Sequence, residues 1–403
     1  MYRYMIGKRL LVCLAILAMI VAVGSCGKDK EDKAAKPAAA PEAMAGTYKI
    51  GAVFAATGGA SPLGVPEKNT AEMLMEQINK AGGINKNKLE IIILDTATDP
   101  TTARTRIEKL IADDVAAIIG PSTSGESLTI YELTQNAQIP LVSCAASVKI
   151  VTPVAERKWV FKTPQSDSLI VGVMADHLKS QKISKVAIIT VADGYGRSGK
   201  AELEKILPEA GIEIIQAEEM GAGDTDAMVQ LTKIRDAKPG AVICWSIQGA
   251  GAVVTKNFRA DLKVVDIPLI MSHGVANKQY IELSGEAANG VILPAGKLLV
   301  ASELPDSDPQ KAVLMKYVAD YKAKFGEEPN TFGGHAWDAI KLVAKAMEKV
   351  GDDKAKIRDE IENTKNFVGT GGVFNFSATE HNGLSKQGVV MVKVVDGKWT
   401  LLK

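Results

Sequence analysis

The chain has 403 residues, of which 46% are hydrophobic and 24% are charged, and its formal net charge is +1. This length and composition suggest a globular protein of two or three domains, and the near-neutral charge argues against nucleic acid as a partner. Four cysteines are too few for a disulfide scaffold. Cys144 and Cys244 lie in or just after apolar runs, so we expect them to be small buried hydrophobic residues.

Residues 1–25 have the pattern of an export signal, with basic residues first and then an apolar run. Small residues directly precede Cys26, and this resembles the lipobox of bacterial lipoproteins. The resemblance implies that Cys26 becomes the lipid-modified first residue of the mature chain and anchors it to a membrane. A plain signal peptide or an uncleaved helix is the alternative. Residues 26–46 are charged and then rich in Ala and Pro, which predicts an unfolded tether.

From Tyr48 onward, short apolar strands alternate with amphipathic helices. Strands that are apolar at every position are buried on both faces, which indicates a parallel sheet covered by helices. The alternation restarts after residues 159–167, so the sequence predicts an α/β protein of two doubly wound parallel-sheet lobes. Strands are predicted at 48–55, 88–95, 115–120, 139–143, 185–191, 212–218, 240–246 and 267–272. Helices are predicted at 66–81, 102–114, 124–137, 168–180, 197–209, 226–237, 249–260, 277–284, 308–325, 334–350 and 353–363.

The last third of the chain returns to both lobes. Residues 289–295 are predicted to cross between the lobes, and residues 389–403 alternate in polarity across Asp396 and Gly397, which predicts a hairpin. We therefore predict an N-terminal lobe of residues 47–165 plus 292–383 and a C-terminal lobe of residues 166–291 plus 384–403. Ligands bind outside the carboxyl ends of such strands, so a multi-crossing hinge would close two facing lobes on one small molecule.

Several short motifs occur in the order and spacing of one protein family. They are ATGGASPLG (56–64), INKAGGI (78–84), LDTATDP (94–100), IIGPSTS (118–124), VADGYGRSG (191–199) and MSHGVAN (271–277). From about residue 47 to its end, the chain resembles the type I periplasmic binding proteins of the branched-chain amino acid ABC-transport family. The resemblance implies a monomeric, extracytoplasmic solute-binding lipoprotein that delivers a small carboxylate to a membrane permease. It implies no enzyme activity, no cofactor and no metal.

The family's site for the ligand carboxylate falls on Ser124, Ala145 and Ser147. Backbone N–H groups at a helix start and short hydroxyls suit an anionic oxygen. Thr123 and Glu126 also have the spacing of a capping box, so part of this polar turn can serve only to cap the helix.

The resemblance places the ligand's remaining contacts on the second lobe and on one residue of the first: Tyr195, Trp245, Ile247, His273 and Leu63. His273 stands where members that bind leucine-like amino acids have a glutamate for the ligand's ammonium group. Leu63 replaces a tyrosine. An imidazole cannot replace a carboxylate as partner of an ammonium ion, so both changes favour an aromatic or aliphatic acid without an α-amino group. Amino-acid binding stays open, because another part of the pocket could supply an anion, and His273 could simply bond to the backbone.

Other classes of function find less support in the sequence. Residues 194–200 nearly spell a phosphate-binding loop, but Ala201 follows where Ser or Thr is needed. The four histidines lack metal-ligand spacing, and Glu67, Asp193 and Asp338 lack a nucleophile at a recognisable spacing. The remaining alternative is a receptor or co-sensor of the same fold that signals to a membrane partner.

Overall fold

The computed structural model describes residues 44–402. The predicted signal peptide, Cys26 and residues 26–43 of the predicted tether lie outside the described residues. Within residues 44–402, no helix is both long and apolar enough to cross a membrane.

The first lobe begins with five parallel strands and the three helices that connect the first four of them. The strands are β1 (Gly46–Phe54), β2 (Asn87–Asp95), β3 (Ile118–Ile119), β4 (Leu141–Ser143) and β5 (Val160–Lys162). The helices are α1 (Ser61–Lys80), α2 (Pro100–Ala112) and α3 (Ser124–Asn136). The strand order is β2-β1-β3-β4-β5, so β3 and β4 are direct neighbours. Helix α1 begins earlier than predicted because Pro62, and not Pro66, occupies its first turn.

The second lobe repeats the plan. Its helices are α4 (Asp167–Ser180), α5 (Gly194–Glu209), α6 (Met228–Asp236), α7 (Gln248–Lys256) and α8 (Lys278–Ser284). Its parallel strands are β6 (Lys185–Val191), β7 (Glu213–Met220), β8 (Ala241–Trp245), β9 (Leu269–Met271) and β10 (Ile292–Gly296). Strands β9, β8 and β6 lie side by side, which brings the loops after them together at one edge of the sheet.

The rest of the chain contributes to both lobes. Three helices follow, α9 (Lys311–Phe325), α10 (Thr331–Val350) and α11 (Lys354–Glu362), and then the strand pair β11 (Phe367–Val368) and β12 (Val373–Phe374). The last strands are β13 (Val389–Val395) and β14 (Lys398–Leu401). They form the predicted hairpin, and Asp396 and Gly397 have the positive φ angles of 48° and 73° that such a two-residue turn requires.

The second sheet has the order β14-β13-β10-β9-β8-β6-β7, with β13 and β14 antiparallel to their neighbours. Because β10 pairs with β9 and β13, it belongs to the second lobe. The predicted lobe boundary at residue 292 is therefore wrong, and the second crossing follows Gly296. By its sequence pattern alone, an apolar run such as residues 292–296 fits either a strand or a crossing between the lobes. Its pairing with β9 and β13 shows that it is a strand.

Helices cover both faces of each sheet. On the first sheet, Val343 of α10 shares a core with Phe54 of β1, while Ile107 of α2 shares another with Val53. The second sheet likewise has one core with α6 and α7 and a second with α4 and α5. The predicted two-lobed α/β fold with parallel sheets is confirmed. Cys144 and Cys244 are free and buried, as expected.

Candidate functional site

The turns that follow β3 and β4 bring the predicted carboxylate-binding residues together. Neighbouring parallel strands end at the same edge, and the Ser124 Oγ atom accepts a hydrogen bond from the Ser147 backbone N–H at 3.2 Å. This leaves the Ser124 hydroxyl hydrogen to donate elsewhere. The Ala145 N–H donates to Ser143 Oγ at 3.1 Å, so this group is already bonded inside the lobe.

The start of helix α3 has a side-chain cap, and it also has backbone N–H groups that suit an anion. Thr123 and Glu126 form a complete capping box: the Glu126 N–H donates to Thr123 Oγ1 at 3.3 Å, and the Thr123 N–H donates to Glu126 Oε2 at 3.2 Å. The capping interpretation of these two residues is therefore confirmed. The first N–H groups of a helix have no acceptor inside the helix, so those of Ser124 and Gly125 remain the donors suited to a carboxylate.

Three aromatic rings lie at the carboxyl ends of β6, β8 and β9: Tyr195 is in the first turn of α5 after β6, Trp245 is the last residue of β8, and His273 follows β9. The ring centroids of Tyr195 and Trp245 lie 5.5 Å apart, those of Trp245 and His273 lie 6.0 Å apart, and those of Tyr195 and His273 lie 5.9 Å apart. All three rings are buried. The sequence-predicted residues Tyr195, Trp245 and His273 thus form one cluster on the second lobe.

Burial and hydrogen bonds in this cluster act on the protonation of His273. The Tyr195 hydroxyl oxygen accepts from the Gly274 N–H at 3.1 Å and lies 3.2 Å from His273 Nδ1. The hydroxyl oxygen has two lone pairs, so either the tyrosine O–H or the histidine Nδ1–H can be the donor in this contact. Burial lowers the pKa of His273 to about 3, and the nearby positive charge of Lys162 adds to this shift, while the Gln165 backbone opposes it. His273 is therefore a neutral hydrogen-bond donor at neutral pH.

Two predicted wall residues are apolar. Leu63 lies in the first turn of α1 and is 5% exposed, and it belongs to none of the core clusters within residues 44–402. Ile247 directly precedes α7 and packs half-buried against the core that contains Trp245. Leu63 is thus a buried leucine outside these core clusters, and its place in a pocket wall stays a prediction, whereas Ile247 packs beside the ring cluster.

The two lobes are joined across the cleft by a chain of hydroxyls. The Ser147 and Ser198 Oγ atoms lie 2.6 Å apart, and Ser198 donates to Asp167 Oδ2. Because Ser198 gives its hydrogen to the carboxylate, the Ser147 hydroxyl hydrogen points to Ser198. The other Asp167 oxygen accepts from the Val148 N–H at 2.9 Å. In this arrangement the Ser147 hydroxyl bonds across the cleft, and the Ser124 hydroxyl oxygen bonds to the Ser147 backbone N–H.

The helix starts of the two lobes also approach closely. A Cβ atom added to Gly194 at the start of α5 would lie 2.6 Å from the Cα atom of Gly125 at the start of α3. On the other side of the cleft, Thr331 Oγ1 at the start of α10 donates to the Ala276 carbonyl at 3.1 Å. Small residues and short hydroxyls therefore permit close contact between the lobes.

Sequence reasoning missed four polar residues of this region. Ser198 lies in the motif of residues 191–199, in which the family resemblance gives a role to Tyr195 and none to Ser198, and Asp167 has the ordinary pattern of an acidic helix start. Lys162 ends an apolar strand and His335 lies in an apolar helix, yet both are buried. Only the charge of Lys162 within an apolar run was a signal that sequence alone could have supplied.

The three carboxylates considered as catalytic candidates each have structural partners. Asp193 caps α5 by accepting from the Gly196 N–H at 2.7 Å. Asp338 accepts from the backbone N–H groups of residues 370 and 371 at 2.6 and 2.7 Å. Glu67 accepts from Ser122, and burial raises its pKa well above the ordinary value. Each of the three carboxylates holds a loop or a helix start in place.

A two-lobed α/β fold with polar strand ends on one lobe and a ring cluster on the other is typical of proteins that bind a ligand between their lobes. Residues 47–398 match the family described as Periplasmic binding protein. The chain belongs to this family. A solute-binding role follows from that membership, and the resemblance found in the sequence motifs is confirmed.

Curated relatives carry names of amino-acid binders. A leucine-, isoleucine-, valine-, threonine- and alanine-binding protein of Pseudomonas aeruginosa is 25% identical over 319 residues, covering 79% of this chain and 82% of that relative. A Leu/Ile/Val-binding protein homolog of Brucella melitensis is 24% identical over 355 residues, covering 87% of this chain and 92% of that relative.

Solved structures are similar over most of both chains. An extracellular ligand-binding receptor from Rhodopseudomonas palustris superposes with a TM-score of 0.82 and 28% identity, covering 88% of this chain and 99% of that chain. The branched-chain amino acid transporter substrate binding protein LivJ from Streptococcus pneumoniae, in complex with isoleucine, has a TM-score of 0.77 and 25% identity, covering 88% of this chain and 97% of that chain.

Proposed function

We propose that this chain is the solute-binding lipoprotein of an ABC importer and that it captures a small aromatic or aliphatic carboxylate without an α-amino group. The carboxylate binds at the Ser124 turn of the first lobe. The ring cluster of the second lobe closes over the rest of the ligand, and the closed form is recognised by the permease. The cross-cleft contact between Ser147 and Ser198 supports closure as the binding movement.

The observation that carries this proposal is the buried imidazole of His273, which by the family resemblance stands where amino-acid binders have a glutamate. A buried ammonium group without a carboxylate partner costs several kcal/mol. Burial is the main cause of the lowered pKa of His273, and Lys162, whose own pKa burial lowers to about 7, adds to it only when it is protonated. An acid without the amino group avoids the cost of an unpaired ammonium group.

A thermal-shift screen tests the ligand class. The body from residue 27 to 403 is measured with amino acids, aromatic acids and short aliphatic acids. A ligand that binds only the folded state stabilises it by about 2.7 kcal/mol at roughly 100 times its Kd. We expect this stabilisation from amino-free carboxylates. Selective stabilisation by leucine, isoleucine or valine alone would refute the proposed class.

The His273→Glu variant tests the role of this position directly. Its carboxylate would supply the missing partner for an ammonium group, so we expect it to gain affinity for amino acids and lose affinity for amino-free acids. The His177→Glu variant on the partly buried face of α4 serves as the control for the same substitution outside the cleft. Equal effects of the two variants would contradict the role of His273.

The lipid anchor rests on the sequence before residue 27 and is tested separately. A Cys26→Ala variant of the full chain is expected to leave the membrane fraction of an expressing cell, whereas the unchanged chain remains in it. Because an uncleaved leader helix would also hold the variant in that fraction, incorporation of labelled fatty acid is measured as well, and equal labelling of the Cys26→Ala variant and the unchanged chain would contradict acylation at Cys26. Ligand uptake by cells that carry the neighbouring permease genes would distinguish the importer from the receptor alternative.

A further inference from the structure

The carboxyl group of Asp167 lies where the chain passes from the first lobe to the second. Asp167 is the first residue of α4, directly after the first crossing, and it is buried. Its backbone N–H donates to the Ala146 carbonyl of the first lobe at 3.2 Å. Its Oδ1 atom accepts from the Val148 N–H of the first lobe and from the Ser168 N–H of its own helix, both at 2.9 Å. Asp167 is therefore fixed to the first lobe at the point where the second lobe begins.

The other oxygen of this carboxyl group accepts a hydrogen bond from a side chain of the second lobe. The Ser198 hydroxyl on α5 donates to Asp167 Oδ2, and the Ser198 Oγ atom lies 2.6 Å from the Ser147 Oγ atom of the first lobe. Ser198 is thus held between two groups that are both fixed to the first lobe. One helical turn earlier on α5, Gly194 approaches Gly125. One face of α5 therefore contacts the first lobe at two successive turns.

These contacts join groups of the protein alone and need no group of a ligand. The Asp167 carboxylate accepts from two N–H groups and one hydroxyl, so both of its oxygens have partners. Hydrogen bonds to a carboxylate are about twice as strong as bonds between neutral groups. Movement of α5 away from the first lobe would break the bonds of Ser198 to both lobes' acceptors at once. The carboxylate therefore favours the closed arrangement.

The segment before Asp167 is restrained without the help of α5. The Lys162 Nζ atom donates to the Pro164 carbonyl at 2.7 Å and to Ser166 Oγ at 3.1 Å. From the segment between β12 and β13, the Asn382 side chain donates to the Pro164 carbonyl at 2.8 Å and accepts from Ser166 Oγ at 3.0 Å. Because these bonds hold the first crossing in place, little conformational freedom is lost when α5 meets the carboxyl group.

We propose that Asp167 is a positioning residue that acts as a latch: it holds Ser198 of the second lobe against Ser147 of the first and stabilises the closed arrangement in the absence of any ligand. The inference rests on the proposed capture of a ligand by closure and adds a contribution that does not depend on the ligand. When only a fraction of the molecules is competent to bind, the apparent affinity is reduced by that fraction. The latch therefore raises the affinity for every ligand of the cleft by the same factor.

Small-angle X-ray scattering without ligand tests the latch independently of the ligand's identity. The radius of gyration is measured for the chain from residue 27, which contains every residue of the described fold, and for its Asp167→Asn, Ser198→Ala and double variants. An amide has one accepting oxygen, so it cannot serve both Ser198 and the N–H groups. We expect the ratio of closed to open molecules to fall by about tenfold or more in Asp167→Asn, with a larger radius of gyration. Ser198→Ala should also expand the protein, and the double variant no further than Asp167→Asn.

The control for the loss of an acidic charge is Asp352→Asn on the exposed turn between α10 and α11, which should keep the radius of the unaltered chain. Urea unfolding distinguishes a latch from a helix cap, because loss of a cap lowers the free energy of unfolding without expanding the folded protein. Ser198→Ala removes a single hydroxyl and keeps the test valid if Asp167→Asn does not fold.

Calorimetry gives a second measurement. Leucine, 4-methylpentanoate, phenylalanine and 3-phenylpropionate are titrated into the unaltered chain and into Asp167→Asn. For each of these probes that binds, we expect the variant to weaken binding by one common factor. A factor that differs between probes would show that Asp167 acts on the ligand and would overturn the latch.

The outcomes separate this inference from the proposed function. Equal radii of gyration of the unaltered chain and both single variants overturn the latch and leave the proposed ligand class intact. Additive expansion in the double variant also overturns it, because Asp167 would then not act through Ser198. If both single variants expand and no probe binds, the latch stands and the proposed ligand class fails.

Discussion

The Gly194→Ala substitution adds one methyl group at the cleft, and we expect it to weaken ligand binding without lowering the stability of the fold. Gly194 begins α5 on the second lobe and faces Gly125 at the start of α3 on the first lobe. In the closed arrangement, a Cβ atom at Gly194 would lie 2.6 Å from the Gly125 Cα atom and 2.8 Å from its nitrogen. The contact is with backbone, which cannot rotate away as a side chain can.

The geometry sets the size of the effect. Ordinary contact for a Cβ atom begins at 3.4 Å, so Gly194→Ala requires the two helix starts to separate by about 0.8 Å. Overpacking of this kind costs about 1–3 kcal/mol. Because the cost arises only when the lobes close, it is expected to weaken ligand binding by about 5- to 150-fold. The free energy of unfolding without ligand should not fall, since alanine is a better helix former than glycine.

The partner glycine supplies a matched control. A Cβ atom at Gly125 would have its nearest neighbours, the Gly194 Cα and N atoms, at 3.9 Å, which is ordinary contact. Calorimetric titration of Gly194→Ala and Gly125→Ala with the best acid from the screen, together with urea unfolding of both without ligand, makes the comparison. Equal affinities of the two variants would refute the inference that these helix starts meet when ligand is bound.

Three further substitutions test the account. Ser198→Ala removes the hydroxyl that bonds across the cleft. We expect ligand affinity, measured by calorimetry, to fall by about 2- to 10-fold, which corresponds to the net free energy of one hydrogen bond. An unchanged affinity would argue against the cross-cleft bond. Burial lowers the pKa of His335 from about 6.5 in the unfolded chain to about 3 in the folded chain. Between these pH values only the unfolded state binds the proton. The free energy of unfolding therefore decreases as the pH falls from 6.5 to 3. His335→Leu should flatten this dependence by up to about 1.4 kcal/mol per pH unit in urea unfolding series, and identical slopes would contradict the buried neutral state. Gly199→Ala would place a Cβ atom 2.2 Å from the Trp245 indole, so we expect it to lower the free energy of unfolding by about 1–3 kcal/mol. Gly249→Ala in α7 is the control, because a Cβ atom there would meet open space. Equal effects of the two variants would contradict the close contact between Gly199 and Trp245.

The fold could be predicted because its signals are local. Fully apolar strands flanked by glycine-rich turns repeat along the chain, and parallel pairing follows from burial on both faces. The ends of the elements depended on finer detail. Pro62 starts α1 before Pro66, and β10 could be recognised as a strand of the second sheet only through its pairing with β9 and β13.

The only candidate-site residues that could be predicted from the sequence are those at the ends of neighbouring strands. Ser124 and Ser147 follow adjacent strands, and the residues of the ring cluster lie at or just after the ends of three others, so the convergence within each lobe is a consequence of topology. The meeting of Ser147, Asp167 and Ser198 depends on how the two lobes and the first crossing close together. Sequence spacing contains no information about that arrangement, because the three residues are far apart in the chain.

The account depends most on the claim that the ligand has a carboxylate and no α-amino group. Calorimetry on pairs that differ only in that group, beginning with leucine and 4-methylpentanoate and continuing through phenylalanine and 3-phenylpropionate, measures this claim directly. We expect the amino-free member of each binding pair to bind more tightly, because His273 offers an N–H donor in place of a carboxylate. Tighter binding of the amino acid in these pairs, or no carboxylate binding of either kind, would contradict the account.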